Sequence, residues 1–309
     1  MKSKKNIAVI GIGRWGKNLL RELDKIANAR YVYHQGDKEN LKWLKNNYPN
    51  IKDVSSYQEI LTDSTIDAVV IATPIKTHYE LTKKALLAGK HVFVEKPLTD
   101  NVKQAQELVK LAAKKKKILF VGHIFSYHPV LARIKLIARR EPIKRAAFVW
   151  NKLGTFNEEL IYNLVSHGIA TALDLFGSSS TSLAPAKLVL DKPTSIKTLE
   201  NSGMVTDSDT IYVRLGFKGN RSATVYINRV SNFKNKTVTL ATAKNVYLWE
   251  NDQLLKLDKK ANTFKLIYKS PKTPLEVECA KFIKCLTKNN KPLTDGIFGL
   301  EVVKILSII

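Results

Sequence analysis

The residues with the clearest chemical meaning lie near the start of the chain, in Gly11-Ile12-Gly13-Arg14-Trp15-Gly16. The run follows an apolar stretch at residues 7–10 and opens a helical pattern over 15–26. That strand–turn–helix context is what a phosphate-binding glycine loop requires. Gly11 permits the tight turn, Gly13 lets the backbone approach a pyrophosphate, and Gly16 lets helix and strand pack closely. The helix N-terminus then turns its free N–H groups toward the phosphates. A plain strand-to-helix turn rarely needs three glycines at this spacing, so residues 11–16 read as the cradle of a dinucleotide.

Other groups fall where such a cradle would use them. The adenosine ribose is met about twenty residues further on, where Gln35 and then Asp37 stand. An acid there accepts from the ribose hydroxyl and favours NAD. Gln35 does not repel an added phosphate, and Asp37 serves equally well as the N-cap of the next helix. On these residues NAD and NADP both stay open. Thr73 and Pro74 end a continuous apolar strand at 68–71, and His78 lies one turn into the following helix. Glu95-Lys96-Pro97 ends the next strand. Carboxyl ends of parallel strands are where open α/β sheets bind ligands, so Thr73, Pro74, His78, Glu95 and Lys96 join the cofactor set. His78 also reads as a surface helix residue. A lysine beside a nicotinamide can polarise a substrate oxygen and exchange its proton, but position alone does not separate that role from an exposed strand-end lysine.

These positions need elements to hold them. Strands at 7–10, 31–34, 68–71, 91–95 and 118–121 alternate with helices at 15–26, 41–48, 76–88 and 102–113. Continuous apolar strands between amphipathic helices predict a parallel sheet covered on both faces, a doubly wound Rossmann domain. After Gly122 the pattern changes. A helix follows Pro129, a strand covers 145–149 and a helix 160–176. Strand-like runs then come without intervening helices at 186–190, 211–217, 223–227, 238–241, 246–249 and 264–268. This predicts a largely antiparallel open sheet, and helices at 275–287 and 297–308 close the chain. The expected division is a dinucleotide-binding domain at 1–122 and an α+β domain for substrate binding and oligomerisation at 123–309.

Composition bounds the function classes. With 309 residues, 44% hydrophobic and 25% charged, the chain is ordinary globular material. Cys279 and Cys285 have no metal-ligand or redox spacing, and no metal site is expected. No apolar run is long enough to span a bilayer, and the charged start has no signal-peptide core behind it. A cytoplasmic location is the expectation. The formal charge of +24 comes from 41 lysines and ten arginines spread along the chain. Nucleic-acid readers cluster such residues and lean on arginine, so a nucleic-acid partner is not expected, although the charge can steer anionic substrates. Arg229, Lys234 and Lys236 could reach a phosphate or an oligomer partner, with solvated charges the favoured reading.

Taken together, the glycine loop, Ala72-Thr73-Pro74 with His78, and Glu95-Lys96-Pro97 resemble the Gfo/Idh/MocA oxidoreductases, a family named for glucose–fructose oxidoreductase and inositol dehydrogenase. Val121-Gly122-His123, Asn163 to His167, and Lys291-Pro292-Leu293-Thr294-Asp295-Gly296 extend the resemblance over most of the chain. It implies Lys96 and His167 as the catalytic pair. It also implies Lys96, His123, Asn163 and His167 as substrate contacts, and a homo-oligomer, dimer or tetramer. In a helix Asn163 and His167 share one face. The family's aspartate is Asn163 here, and an amide cannot act as a base. Ser126 stands where the family often has an arginine. Residues 150–156, with Glu158 and Glu159, are loosely similar to members acting on nucleotide-linked sugars. The expectation is hydride transfer between NAD or NADP and a ring carbon of a sugar, nucleotide sugar or cyclitol. The alternative is a cofactor-binding regulator or scaffold without turnover, since fold does not establish function; retention of both Lys96 and His167 favours the enzyme. Substrate identity, reaction direction and oligomeric state are not readable from the sequence.

Overall fold

Strands that are apolar along their whole length must be covered on both faces. In the computed structural model, which describes residues 4–35, 38–177 and 192–309, helices do this. The first sheet contains β1 (Asn6–Ile10), β2 (Asn28–Tyr33), β3 (Lys52–Val54), β4 (Ala68–Ile71), β5 (His91–Glu95) and β6 (Leu119–Gly122). Its order is β3-β2-β1-β4-β5-β6, and each neighbouring pair is parallel. Helices α1 (Arg14–Ile26), α2 (Lys38–Asn47), α3 (Tyr57–Thr62), α4 (Ile75–Leu87) and α5 (Val102–Lys114) connect these strands. This is the doubly wound order, whose winding reverses between β1 and β4 and leaves a crevice at the strands' carboxyl ends. The predicted Rossmann sheet therefore forms. The sequence reading missed β3 and α3. A three-residue strand is too short for periodicity to reveal, and α3 declares itself only through Ser56, whose hydroxyl accepts from the Gln58 amide at 3.2 Å.

The second sheet contains β7 (Arg145–Leu153), β8 (Ser195–Ser202), β9 (Thr210–Phe217), β10 (Arg221–Asn228), β11 (Val230–Ala241), β12 (Val246–Glu250), β13 (Gln253–Asp258) and β14 (Thr263–Lys269). Its order is β14-β13-β12-β11-β7-β10-β9-β8. Each pairing is antiparallel except the parallel pair of β7 and β10. The largely antiparallel sheet is as predicted, but β8 and β13 went unseen. β8 alternates weakly and lies at an edge, so it carries little apolar signal. β11 runs far beyond the expected 238–241, because its first half is polar and exposed. The strand expected at 186–190 lies outside the described residues. The helices here are α6 (Pro129–Ala138) and α7 (Ser166–Phe176), the latter preceded by a π-helical turn at Ile161–Val165.

The chain packs as two compact units. One is Met1–His123 with Leu275–Lys304, the other Ile124–Pro274 with Ile305–Ile309. A second domain running unbroken over 123–309 is therefore not what forms. Most of α8 (Pro274–Lys288) and α9 (Gly296–Leu306) belongs to the first unit. The reason is packing. Phe93 of β5 and Phe120 of β6 stack with centroids 4.9 Å apart, and Phe282 of α8 meets both edge-on at 5.4 Å. Leu300 and Val303 of α9 join the core built on Val92, Val94 and Val121. The Lys291–Gly296 segment covers the open edge of β6. The Val121 amide donates to the Thr294 carbonyl at 2.8 Å, and the Thr294 hydroxyl donates to the Val121 carbonyl at 2.6 Å. Unpaired strand edges need such cover.

Phe282 is fully buried, so Phe282→Ala should lower stability by about 3–5 kcal/mol. Chemical denaturation followed by circular dichroism would measure this. A loss below about 1 kcal/mol, the usual scale of a non-core change, would mean that α8 is not part of the first core.

Candidate functional site

In the first unit the site is built at the carboxyl ends of β1, β4 and β5. Gly11 has φ +88°, and a Cβ there would lie 2.8 Å from Thr73 Cγ2. A Cβ on Gly16 would lie 2.0 Å from the Gly11 carbonyl oxygen, so only glycine lets α1 start this close to the turn. Gly13, the N-cap of α1, is different. Its φ of −63° suits any residue, and a Cβ there would meet nothing within 4 Å. The space in front of the helix N-terminus is therefore open, as a pyrophosphate requires. Ile12 is buried beneath the loop, Arg14 is exposed and Trp15 is half-buried. Gln35 is exposed, with its amide 3.1 Å from the Tyr33 hydroxyl. Asp37 lies outside the described residues.

Trp15 is held by an interaction the sequence did not suggest. Its indole N–H donates to Glu95 Oε1 at 2.6 Å, and Glu95 Oε2 accepts from the Lys96 amide at 3.2 Å. Glu95 is buried, so it acts as a brace under the cradle and not as an exposed ligand. Burial raises its pKa, against the lowering effects of the Trp15 bond and the Lys96 charge. Lys96 itself is half-buried. His78 is likewise interior, at 1% exposure. One ring nitrogen lies 2.9 Å from the Pro97 carbonyl and the other 2.9 Å from the Thr73 carbonyl. It reaches the cradle only by tying together the two loops that carry Thr73, Pro74 and Lys96. The Thr73 hydroxyl pairs with that of Thr77 at 2.6 Å.

His123 is also interior, against Phe298 with ring centroids 5.5 Å apart. Both its ring nitrogens lack a hydrogen-bond partner among the described residues. Burial, with help from the Lys96 charge, lowers its pKa to about 3. It is a neutral core histidine, buried where the resemblance implied a substrate contact. Glu278 of α8 is the residue that sequence reading missed. It is fully buried without a hydrogen-bond partner for either oxygen among the described residues, and burial and the Glu95 charge raise its pKa. Its signal was its phase, since Glu278 shares the apolar face of α8 with Phe282, Cys285 and Leu286.

In the second unit His167 opens α7, and Asn163 lies in the π-helical turn before it. Both are half-buried. His167 lines a cleft of about 480 Å³, counting its open mouth, whose walls include Phe125, His128, Trp150, Lys236 and Trp249. The His167 ring lies 4.9 Å from Phe125 and 5.6 Å from Trp150, centroid to centroid. His128 accepts from the Val130 amide at 3.1 Å through Nδ1, which leaves the proton of the neutral ring on Nε2. Burial, then the Lys236 charge, lowers its pKa to about 4. Arg229, expected to be a solvated charge like Lys234 and Lys236, is not solvated. It is buried, and its Nε donates to Asp209 at 2.9 Å and its other nitrogens to the Thr155, Glu158 and Ser208 carbonyls. Among the described residues no group of His, Cys, Asp and Glu is arranged to hold a metal, and no helix is long and apolar enough to cross a membrane.

Residues 5–123 match the model of the Gfo/Idh/MocA oxidoreductase family, described as an NAD-binding Rossmann fold. An uncharacterized oxidoreductase of Schizosaccharomyces pombe is 31% identical over 153 residues, 42% of this chain and 39% of its own length. The scyllo-inositol 2-dehydrogenase (NADP(+)) IolW of Bacillus subtilis is 32% identical over 149 residues, 43% of this chain and 41% of its own. The chain thus spans about two fifths of the length of these curated relatives. A solved UDP-N-acetylglucosamine 3-dehydrogenase from Acidithiobacillus ferrooxidans superposes with a TM-score of 0.87 over 100% of this chain and 97% of its own. At 18% identity that likeness is one of fold.

Two outcomes test this geometry. Gly13→Val should fold normally, because its side chain meets no protein atom, yet lose NADH binding; undiminished binding by calorimetry would refute the cradle. The second test concerns pH. A carboxyl whose pKa is raised on folding makes the folded state bind more protons than the unfolded chain, so stability falls as pH rises past the unfolded value. Glu278→Gln removes that loss. Its melting temperature relative to the parent should climb between about pH 5 and pH 8, and a pH-independent difference would show that Glu278 is not held protonated.

Proposed function

We propose that this chain, whose residues 5–123 match the Gfo/Idh/MocA family model, is an NAD(P)-dependent oxidoreductase of a sugar, nucleotide sugar or cyclitol. The nicotinamide, when bound, supplies or accepts the hydride at a ring carbon of the substrate. The chain's own residues do the rest. Gly11, Gly13 and the start of α1 bind the pyrophosphate, and Glu95 and His78 hold the loops around it. Lys96 steadies and polarises the oxygen on the reacting carbon. His167 takes the hydroxyl proton as the hydride leaves, or returns it in the other direction. Asn163 orients the substrate by hydrogen bonding and moves no proton.

The observation that best supports this reading is the setting of His167. It stands half-buried in an aromatic cleft, the kind of surface that takes a small organic ring. Exposed, uncharged Gln35 supports weak discrimination between the two cofactors, and the family resemblance slightly favours NAD(H).

Lys96→Ala and His167→Ala should each reduce turnover about 100-fold or more. The double variant should lose far less than the product, because groups acting on one oxygen are non-additive. His167→Ala should keep the parent's affinity for NADH. Steady-state kinetics on a panel of free sugars, cyclitols and nucleotide sugars would measure this. Full activity of either variant would refute the pair. NADH binding with no turnover of any member of the panel would favour a non-catalytic cofactor-binding protein instead.

A further inference from the structure

The cleft around His167 carries a charge that nothing nearby balances. Lys236 of β11 faces Trp150 of β7 directly across the ladder, and it is in phase with the buried Val238 and Leu240. A lysine in that phase sits on the inward face of the sheet. Its ammonium lies 4.6 Å from the Phe125 ring centroid and 5.3 Å from that of Trp150. No salt bridge or hydrogen bond to the Lys236 ammonium occurs among the described residues, and no Asp or Glu lines the cleft. Asp252, whose charge reaches His128, stands 4.0 Å from Lys269 and outside the wall. Although the Lys236 side chain is solvent-exposed, crowding by protein and the Lys234 charge lower its pKa. The one other titratable group of the wall besides His167 is neutral His128, which offers an Nε2–H donor.

Cation–π contacts at exposed sites are weak beside a charge-assisted hydrogen bond. An aromatic cleft with a cation in its lining, a neutral N–H donor and no carboxylate is therefore complementary to a ring that has an apolar C–H face and bears an anion. We propose that the substrate of this cleft is an anionic sugar or cyclitol derivative, its ring against Trp150 and Phe125 and its carboxylate or phosphate on Lys236. This rests on the reading of the cleft as the substrate pocket of an oxidoreductase. The shared chemistry is an oxyanion, and its two sources are a uronate-type carboxylate and the phosphate of a nucleotide sugar.

Binding is measured without turnover, by calorimetry on the full chain with NADH, using glucuronate, UDP-glucose and glucose as probes. The parent should bind at least one of the two anions more tightly than glucose, and more weakly as salt is raised. Lys236→Met should reduce the preference for that anion over glucose about tenfold or more, and Lys236→Arg should restore most of it. Preference for glucuronate identifies a carboxylate, and preference for UDP-glucose a phosphate. If neither anion binds up to millimolar concentration, or if Lys236→Met folds normally and keeps the parent's preference, the proposal is overturned. Because binding and turnover are read separately, the two readings fail apart. A Lys236-dependent anion that is never oxidised or reduced contradicts the enzyme reading alone. Turnover of neutral sugars with no anion preference contradicts the anionic substrate alone.

Discussion

The hydrogen bond from the Trp15 indole to the buried Glu95 carboxyl joins the two parts of the first unit that matter for chemistry. Trp15 belongs to the first turn of α1, directly after the glycine loop, and Glu95 ends β5 just before Lys96. A buried carboxyl without partners would be costly, so the indole N–H and the Lys96 amide give Glu95 its place. His78 works from the other side, between the carbonyls of Thr73 and Pro97. A neutral imidazole has one N–H, and burial keeps this one neutral. It therefore donates to one carbonyl at a time while lying within hydrogen-bond distance of both. The cradle, the loop after β4 and the base of Lys96 thus form one mechanical assembly.

That assembly was legible in part. Glycine spacing and continuous apolar strands act locally, so the Rossmann sheet and the cradle could be read directly. Glu95 and His78 were read as cofactor contacts and His123 as a substrate contact, yet all three are buried. Their side chains turn inward, which spacing along the chain cannot report. The return of α8 and α9 to the first unit was hidden for a related reason. A helix's apolar face shows that it will be buried but not against what, and only the Phe93, Phe120 and Phe282 cluster decides the matter. Glu278 and Lys236 left a fainter mark, each being a charged residue in phase with the apolar face of its own element. Such an in-phase charge is a better pointer to a site than the total charge of the chain.

The total charge of +24 is a poor guide here because exposed lysines are individually screened over about 10 Å at moderate ionic strength. Several also have carboxylate partners, as in Lys5 with Asp67, Lys83 with Glu107 and Lys291 with Asp295. Arg229, though deeply buried, is fully used in holding Asp209 and the carbonyls around it. Lys236 differs from these in having aromatic faces instead of an oxyanion beside it.

Burial pushes four ionisable groups of the first unit toward their uncharged forms, and this sharpens the contrast. Glu95 and Glu278 are both pushed toward the protonated form, while His78 and His123 are pushed toward the neutral form. Burial is the largest cause of all four shifts. In the cleft of the second unit His128 is discharged in the same way, but Lys236 is not sequestered. The residue is solvent-exposed while its ammonium rests on rings. The sign of the field inside that cleft is then set by a single side chain. A field with one source can be cancelled or reversed by one substitution without disturbing a network, and the same cannot be said of the braced carboxyls beneath the cradle.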